Sequence, residues 1–154
     1  MKLQRDLREF IALFNSARVE YVIVGGHAVA FHGHPRFTGD IDFLIRPTMT
    51  NARKVVVALR AFGFGKLALT AEDFVKPDLI VQLGRPPNRI DILTSISGVS
   101  FDDAWASRAR SKLDGLSISL LGFDALIKNK TASGRDKDLV DVRKLKAVKA
   151  VQRK

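Results

Sequence analysis

Apolar and polar residues alternate along this chain with two different periods. Over residues 3–17 the apolar positions recur every three or four residues, which predicts an amphipathic helix. Short apolar runs at 21–24 and 41–45 are typical of buried strands. The first run ends at a pair of glycines and the second ends before Pro47, so both strands are expected to stop abruptly.

The rest of the chain continues this mixture of elements. A helix capped by Thr48 or Thr50 should carry its apolar stripe over 52–62 and end at Gly63 and Gly65. The further predicted elements are a helix beginning at 27–31, strands at 79–83, 89–94 and 116–121, a helix starting near 102–103, and helices at 123–132 and 137–151. Because strands and helices are interspersed, the pattern predicts an α/β (α+β) fold.

The size and composition are those of one globular domain. The chain has 154 residues, 46% of them hydrophobic and 27% charged, with no internal repeat or low-complexity linker. We therefore expect a single domain over 1–154 with a C-terminal helical segment over about 122–154. The absence of cysteine excludes a disulfide scaffold, a thiolate metal site and a cysteine nucleophile, and it suits a reducing cytoplasm.

The N-terminal residues and the most apolar region do not suggest a membrane or secreted protein. The N-terminal residues lack the apolar stretch of a signal peptide. The most apolar region, 21–33, is interrupted by glycine and histidine and is too short to span a bilayer. We expect a cytoplasmic protein with no membrane partner.

Positive charge favours polyanionic partners. The formal net charge is +10, and residues 128–154 hold ten basic and three acidic residues. The basic flank of the last helix can contact RNA, a phosphate-rich acceptor or an acidic protein, but a merely solvated face is the simpler explanation.

Three aspartates within predicted strands carry the strongest chemical signal. Asp40 and Asp42 are two residues apart, so their side chains project from the same face of a strand. Asp91 lies between two isoleucines of a later strand. If the two strands are neighbours, the three carboxylates converge and can hold two Mg²⁺ or Mn²⁺ ions, which relieve their repulsion. The alternative is that the three are exposed residues at strand ends or turns.

A pair of glycines precedes these acids. Gly25 and Gly26 lie at a predicted junction between a strand and a helix, where glycine lets the backbone approach a ligand. The N-terminus of the following helix presents free N–H groups to phosphates. A tight turn without any ligand is the simpler reading of two adjacent glycines.

Together these motifs resemble the nucleotidyltransferase-fold superfamily, the DNA polymerase beta-like group. The resemblance rests on a glycine pair after the first strand, a D-x-D about a dozen residues later and a third acid in a later strand. The segments VGGHAVAFHG, RFTGDID, RPPNRIDIL and NKTASGRDKDLVD resemble small bacterial nucleotidyltransferase-like proteins. The similarity covers roughly 20–142 and implies a mixed sheet flanked by helices, with further helices at the C-terminus.

The resemblance implies roles for individual residues. Asp40 and Asp42 would bind both metal ions, and Asp91 would complete the catalytic metal site and help to activate the nucleophile. Gly25 and Gly26 would lie against the triphosphate. Many active members carry serine where this chain has Gly26.

Other residues are weaker candidates. His27 is expected near the nucleotide, and Lys130 lies either near the nucleotide or on a solvated face. Arg36 and Thr38 either contact the triphosphate or belong to an ordinary loop. Arg135 is more simply a solvated cation. The remaining residues considered are expected to be structural: Asp138 and Asp141 at a helix N-terminus, His32 and His34, and Tyr21 and Trp105 in a core or interface.

The resemblance implies an enzyme that transfers a nucleoside monophosphate from a triphosphate such as ATP to a hydroxyl and releases pyrophosphate. RNA, including tRNA, or a protein would be the acceptor, bound by the C-terminal helices, a second subunit or a partner. The alternatives are a non-catalytic nucleotide-binding or antitoxin-like regulator, as in toxin–antitoxin pairs, and a basic RNA-binding module. A homodimer is left open.

Overall fold

Helices and strands alternate through the part of the chain that the computed structural model describes, residues 5–34, 39–63, 68–85 and 88–152. The helices are α1 (Arg5–Ser16), α2 (Gly25–Phe31), α3 (Met49–Phe62), α4 (Phe101–Ala106), α5 (Phe123–Ser133) and α6 (Asp136–Gln152). The strands are β1 (Tyr21–Val24), β2 (Asp40–Ile45), β3 (Ile80–Leu83), β4 (Arg89–Leu93), β5 (Ala109–Leu113) and β6 (Leu116–Leu120). A single turn of 3-10 helix covers Asp73–Val75.

The strands form one mixed sheet in the order β3-β4-β2-β1-β6-β5. β2 is antiparallel to β1 and parallel to β4, and β1 is parallel to β6. The outer strands β3 and β5 pair antiparallel with β4 and β6. The predicted α/β class is confirmed, and the predicted strand at 89–94 lies beside the strand that holds the first two acids.

Alternation along β2 separates a purely apolar face from a mixed one. Ile41, Phe43 and Ile45 point into a core that α1 and α3 cover. Leu44 points to the opposite side, where α2, α4, α5 and α6 supply the second core, and Asp42 shares that side. Because Phe43 is fully buried, a register slip of one residue would bury the acids in the apolar core instead.

The start of α3 fastens the two central strands together. The Thr48 hydroxyl accepts a hydrogen bond from the backbone N–H of Asn51, so Thr48 is the cap of the two candidates. The buried Asn51 amide accepts from the Glu20 N–H at 2.8 Å and donates to the carbonyls of Glu20 and Arg46, both at 3.0 Å. These bonds tie the entry of β1 to the exit of β2.

The sequence prediction missed β5. Its residues, ARSKL, have no apolar alternation, but Asp114 and Gly115 follow with positive φ angles of 50° and 78°. Two such residues form the type I′ turn that joins β-hairpin strands, so an Asp-Gly dipeptide was the available signal. The helix expected from residue 27 begins at Gly25, which brings the glycine pair into its first turn.

The longest described helix is α6, and it is strongly charged. In the described ranges, no helix combines the length and apolar character needed to cross a membrane.

Candidate active site

The three aspartates meet where β2 and β4 run side by side. Asp42 lies opposite Asp91 in the parallel ladder and opposite Val24 in the antiparallel one. Asp40, Asp42 and Asp91 each offer an oxygen within 4.8 Å of the other two. Asp91 is only 6% exposed and the other two are half-buried, so none of them is an exposed turn residue.

Crowding makes Asp42 difficult to ionise. Burial, followed by the charges of Asp40 and Asp91, raises the pKa of Asp42 from 3.8 to about 8. At neutral pH the cluster therefore holds a proton or requires additional positive charge.

Arg89 supplies part of that charge, and the sequence analysis did not single it out. Its Nε lies 3.0 Å from Asp91 Oδ1. Its Nη2 lies 3.0 Å from Asp40 Oδ2 and 3.1 Å from Asp91 Oδ2. Arg89 is two residues before Asp91 in β4 and faces Asp40 in the ladder. Strand alternation places residue 89 on the face of residue 91, but only the register brings it to Asp40.

Gly25 leaves room for the carboxylate of Asp42. A Cβ added at Gly25 would overlap Oδ2 of Asp42, and the glycine has a positive φ of 68°. Both the turn and the close approach therefore require glycine at this position. The glycine pair was predicted to admit a ligand, and in the structure Gly25 first of all admits a side chain of the acidic cluster.

His27 lies close enough to the cluster to be affected by its charge. Burial lowers the pKa of His27, while the negative charge of Asp40 acts in the opposite direction. Because burial is the larger effect, the imidazole of His27 favours its neutral form even though it lies near the acids. Arg36 and Thr38 lie outside the described residues.

A cavity of about 260 Å³ opens beside Asp42. Gly25 and Asp42 form one side of it, and Lys130 and Arg135 lie on its wall. The rest of the lining consists of the apolar residues Val24, Ile80, Leu93 and Ile96 and the polar residues Ser95, Ser97, Asn129, Ser133 and Asp138. The cavity thus brings Asp42 of the acidic cluster together with the first glycine and with Lys130 and Arg135 of the C-terminal segment.

Lys130 is already engaged by two buried acids. Its ammonium lies 3.2 Å from Asp138 Oδ1 and 3.3 Å from Asp141 Oδ2, and all three residues are at most 5% exposed. Arg135 Nε also donates to Asp138, at 2.8 Å. Asp138 lies in the first turn of α6, as predicted, but the helix dipole is only part of its role, because Asp138 and Asp141 are also buried counter-ions of Lys130.

The remaining histidines and aromatic residues have structural contacts. His32 Nε2 is 2.8 Å from the carbonyl of Leu121, and His34 Nε2 is 4.0 Å from Asp141. Tyr21 is buried in the core under α1, and Trp105 packs at the margin of the second core.

The donors of the acidic cluster fit a divalent cation. Three carboxylates within 4.8 Å are hard oxygen ligands of the kind that Mg²⁺ and Mn²⁺ prefer. The raised pKa of Asp42 indicates that the cluster lacks positive charge even with Arg89 in contact.

The mixed sheet flanked by helices and the convergent acids agree with the resemblance to nucleotidyltransferases found in the sequence. Residues 1–152 match a family model, and the chain belongs to that family, described as "Nucleotidyltransferase of unknown function (DUF6036)". The structure is similar to the crystal structure of an antigenic nucleotidyltransferase-like protein from Paracoccidioides brasiliensis. The TM-score is 0.51 at 17% sequence identity, over 91% of this chain and 72% of that one. No curated protein is similar enough to count as a match.

The tight fit of Gly25 against Asp42 can be tested with Gly25→Ala. We expect a larger fall in the free energy of unfolding than for Gly115→Ala, a matched control with a φ of 78° and nothing within 4 Å of an added Cβ. Both variants carry the cost of a left-handed alanine, about 1–2 kcal/mol, and overlap with Asp42 adds roughly 1–3 kcal/mol only at Gly25. Urea unfolding measures the difference, and equal losses would contradict the account.

The buried pairing of Lys130 can be tested with Lys130→Met. Removing the ammonium leaves two buried carboxylates short of a partner, so at pH 7 we expect a loss of roughly 3–5 kcal/mol in the free energy of unfolding. Lys128→Met, an exposed change on the same helix, should have little effect.

The loss caused by Lys130→Met should depend on pH. Burial alone would raise the pKa of Asp138, but hydrogen bonds from Arg135, Ser133 and Lys130 lower it to about 2. A carboxyl group whose pKa is lowered by folding stabilises the fold at any pH above its pKa in the unfolded chain, about 4. That stabilisation is lost as the pH falls toward 2. Unfolding measured from pH 6 to pH 3 should show the wild type and Lys130→Met converging in acid. A gap that is constant with pH would refute this role of Lys130.

Proposed function

We propose that this protein is a divalent-metal-dependent enzyme that transfers a nucleoside monophosphate from a nucleoside triphosphate to a hydroxyl group. The observation that carries the proposal is the convergence of Asp40, Asp42 and Asp91 on two neighbouring strands, beside a cavity that Gly25 and Lys130 also line. Membership of a nucleotidyltransferase family supports the general class of reaction.

The acidic cluster would hold Mg²⁺ or Mn²⁺, with Asp40 and Asp42 as ligands of both ions and Asp91 as a ligand of the catalytic ion. Bound divalent ions would supply positive charge to the α-phosphate and to the departing pyrophosphate. Arg89 now contacts two of these ligands, so it can release them to a metal ion and turn toward a phosphate oxygen.

The nucleotide would occupy the cavity next to Asp42. Gly25 and Gly26 would lie against the triphosphate, with His27, Arg36 and Thr38 as further contacts. Lys130 contributes positive charge on the wall of the cavity, although the acids Asp138 and Asp141 partly neutralise it. The apolar contacts of Leu93 and Ile96 suit the face of a nucleobase, and ATP is the first nucleotide to test.

The reaction would form one bond and break one. The acceptor oxygen bonds to the α-phosphorus while the bond from that phosphorus to the bridging oxygen breaks and pyrophosphate leaves. The acceptor proton passes to the carboxylate of Asp91. RNA, including tRNA, is the acceptor class that the net charge of +10 supports best, and a protein hydroxyl is the other candidate.

A second function is favoured by the contacts of Arg89. Its guanidinium already bridges Asp40 and Asp91, as it would in a non-catalytic, nucleotide-binding regulator that never takes up metal. Such a protein would act by binding a partner, as an antitoxin does in a toxin–antitoxin pair. It would bind a nucleoside triphosphate without turning it over.

Label transfer separates the two functions. The wild type is incubated with each α-³²P nucleoside triphosphate, Mg²⁺ and either total RNA or a protein extract. Asp42→Asn should lower transfer at least about a hundredfold, because it removes a ligand at the reacting phosphate. The fold should survive, since the amide removes a carboxylate that is costly to ionise.

Asp124→Asn is the matched control, because it makes the same chemical change at an exposed residue. We expect it to transfer label like the wild type. Undiminished transfer by pure Asp42→Asn would refute the enzyme assignment, and nucleotide binding without any transfer would favour the regulator.

A further inference from the structure

A second cleft lies far from the acidic cluster, at the opposite edge of the sheet. It has a volume of about 530 Å³ and runs along β5, and we call it the edge cleft. Three cations, Arg108, Arg110 and Lys112, line it together with Trp105 and Tyr21. No aspartate or glutamate is among its lining residues in the described part of the chain.

Arg108 carries a half-buried positive charge that no carboxylate of the described residues contacts as an ion pair. Three described arginines are half-buried, and two of them, Arg46 and Arg89, each contact two carboxylates. Arg108 instead donates from Nη1 to the carbonyl of Trp105 at 2.7 Å and lies 3.7 Å above the ring of that residue. Its Nε is buried with no hydrogen-bond partner in the described structure.

The surroundings of Arg108 disfavour its positive charge. Burial, followed by the positive charge of Arg110, lowers the pKa of Arg108, and only the negative charge of Glu20 opposes this. Glu20 is itself held by Arg46 at 3.2 Å. Exposed cations on an edge strand often serve only to discourage aggregation. That role explains Arg110 and Lys112, but it does not explain the half-buried guanidinium of Arg108, which forms no ion pair with an acid in the described part of the chain.

We propose that the edge cleft binds the phosphodiester backbone of an RNA strand. Arg110 and Lys112 are both exposed and are two residues apart in β5, so their side chains leave the same face of the strand. Their Cα atoms are about 6.7 Å apart, close to the separation of successive phosphates in a single strand. The guanidinium of Arg108 adds a third positive charge to the lining of the cleft.

An acidic peptide is a poorer match to this surface. A peptide added to a sheet edge needs side-chain pockets for its specificity. Both rings of the edge cleft are already engaged, because Trp105 is covered by Arg108 and the Tyr21 hydroxyl donates to Asn15 at 3.0 Å. The cleft therefore offers charge and hydrogen-bond donors more than apolar pockets.

The position of the edge cleft suits an acceptor that also reaches the acids. β5 is three strands from β2, and Tyr21 is at the opposite end of β1 from Gly25, which puts the cleft roughly 15–20 Å from the acidic cluster. A few nucleotides span that distance. As a docking site for the acceptor the proposal rests on the proposed transferase function, but RNA binding itself does not require it.

RNA binding is measured by fluorescence anisotropy with a labelled, mixed-sequence, single-stranded RNA of about 20 nucleotides. The assay contains EDTA and no nucleoside triphosphate, so failure of the transferase assignment cannot affect it. The test variant combines Arg110→Glu and Lys112→Glu. The control combines Lys144→Glu and Lys146→Glu, the same charge change at two exposed residues of α6. Circular dichroism verifies that both are folded.

We expect the β5 pair to weaken binding at least about tenfold more than the α6 pair at physiological salt. Loss of two phosphate contacts should also reduce the slope of log K against log salt by about 1.4. Equal weakening by both pairs, or none by the β5 pair, would overturn the proposal. The proposal would also be overturned, in favour of an acidic protein partner, if a labelled polyglutamate bound the wild type as tightly as the RNA does and lost as much affinity with the β5 pair.

Discussion

The pairing of β2 with β4 holds three carboxylates together, and the rest of the site is organised around that constraint. Asp42 cannot move away, because Phe43 beside it is fully buried on the other face of the sheet. Holding the three carboxylates together makes Asp42 difficult to ionise: burial and its two acidic neighbours raise the pKa of Asp42 to about 8. A fold that keeps such a cluster without function would gain by replacing one acid with an amide.

Positive charge is distributed in two separate ways around this cluster. Arg89 contacts the acids directly, whereas Lys130 reaches the adjoining cavity but is held by Asp138 and Asp141. Metal ions and nucleotide phosphates would therefore enter a site whose cations are already positioned by protein carboxylates. Exchange of ion-pair partners, and not a large change of fold, is the structural event that this arrangement favours.

Local patterns predicted much of this structure, and long-range register determined what they missed. Alternation in D-I-D put Asp40 and Asp42 on one face, and a glycine pair marked the turn that leads into α2. The contact of Arg89 with Asp40 depends on how β4 aligns with β2, which no single segment encodes. The buried ion pair of Lys130 with Asp141 was not predicted either, because only the packing of α5 against α6 forms it. The three acids were found because each lies within a locally apolar strand, whereas their counter-ion Arg89 depends on contacts between segments distant in sequence.

A metal-dependent active site is tested most directly by a crystal structure of the protein grown with Mn²⁺, with anomalous scattering used to locate the metal. We expect an anomalous peak bound by Asp40, Asp42 and Asp91, with at least one of the Arg89 contacts to these acids broken. Absence of manganese from the cluster at saturating concentration, with Arg89 still bridging Asp40 and Asp91, would contradict a metal-dependent active site.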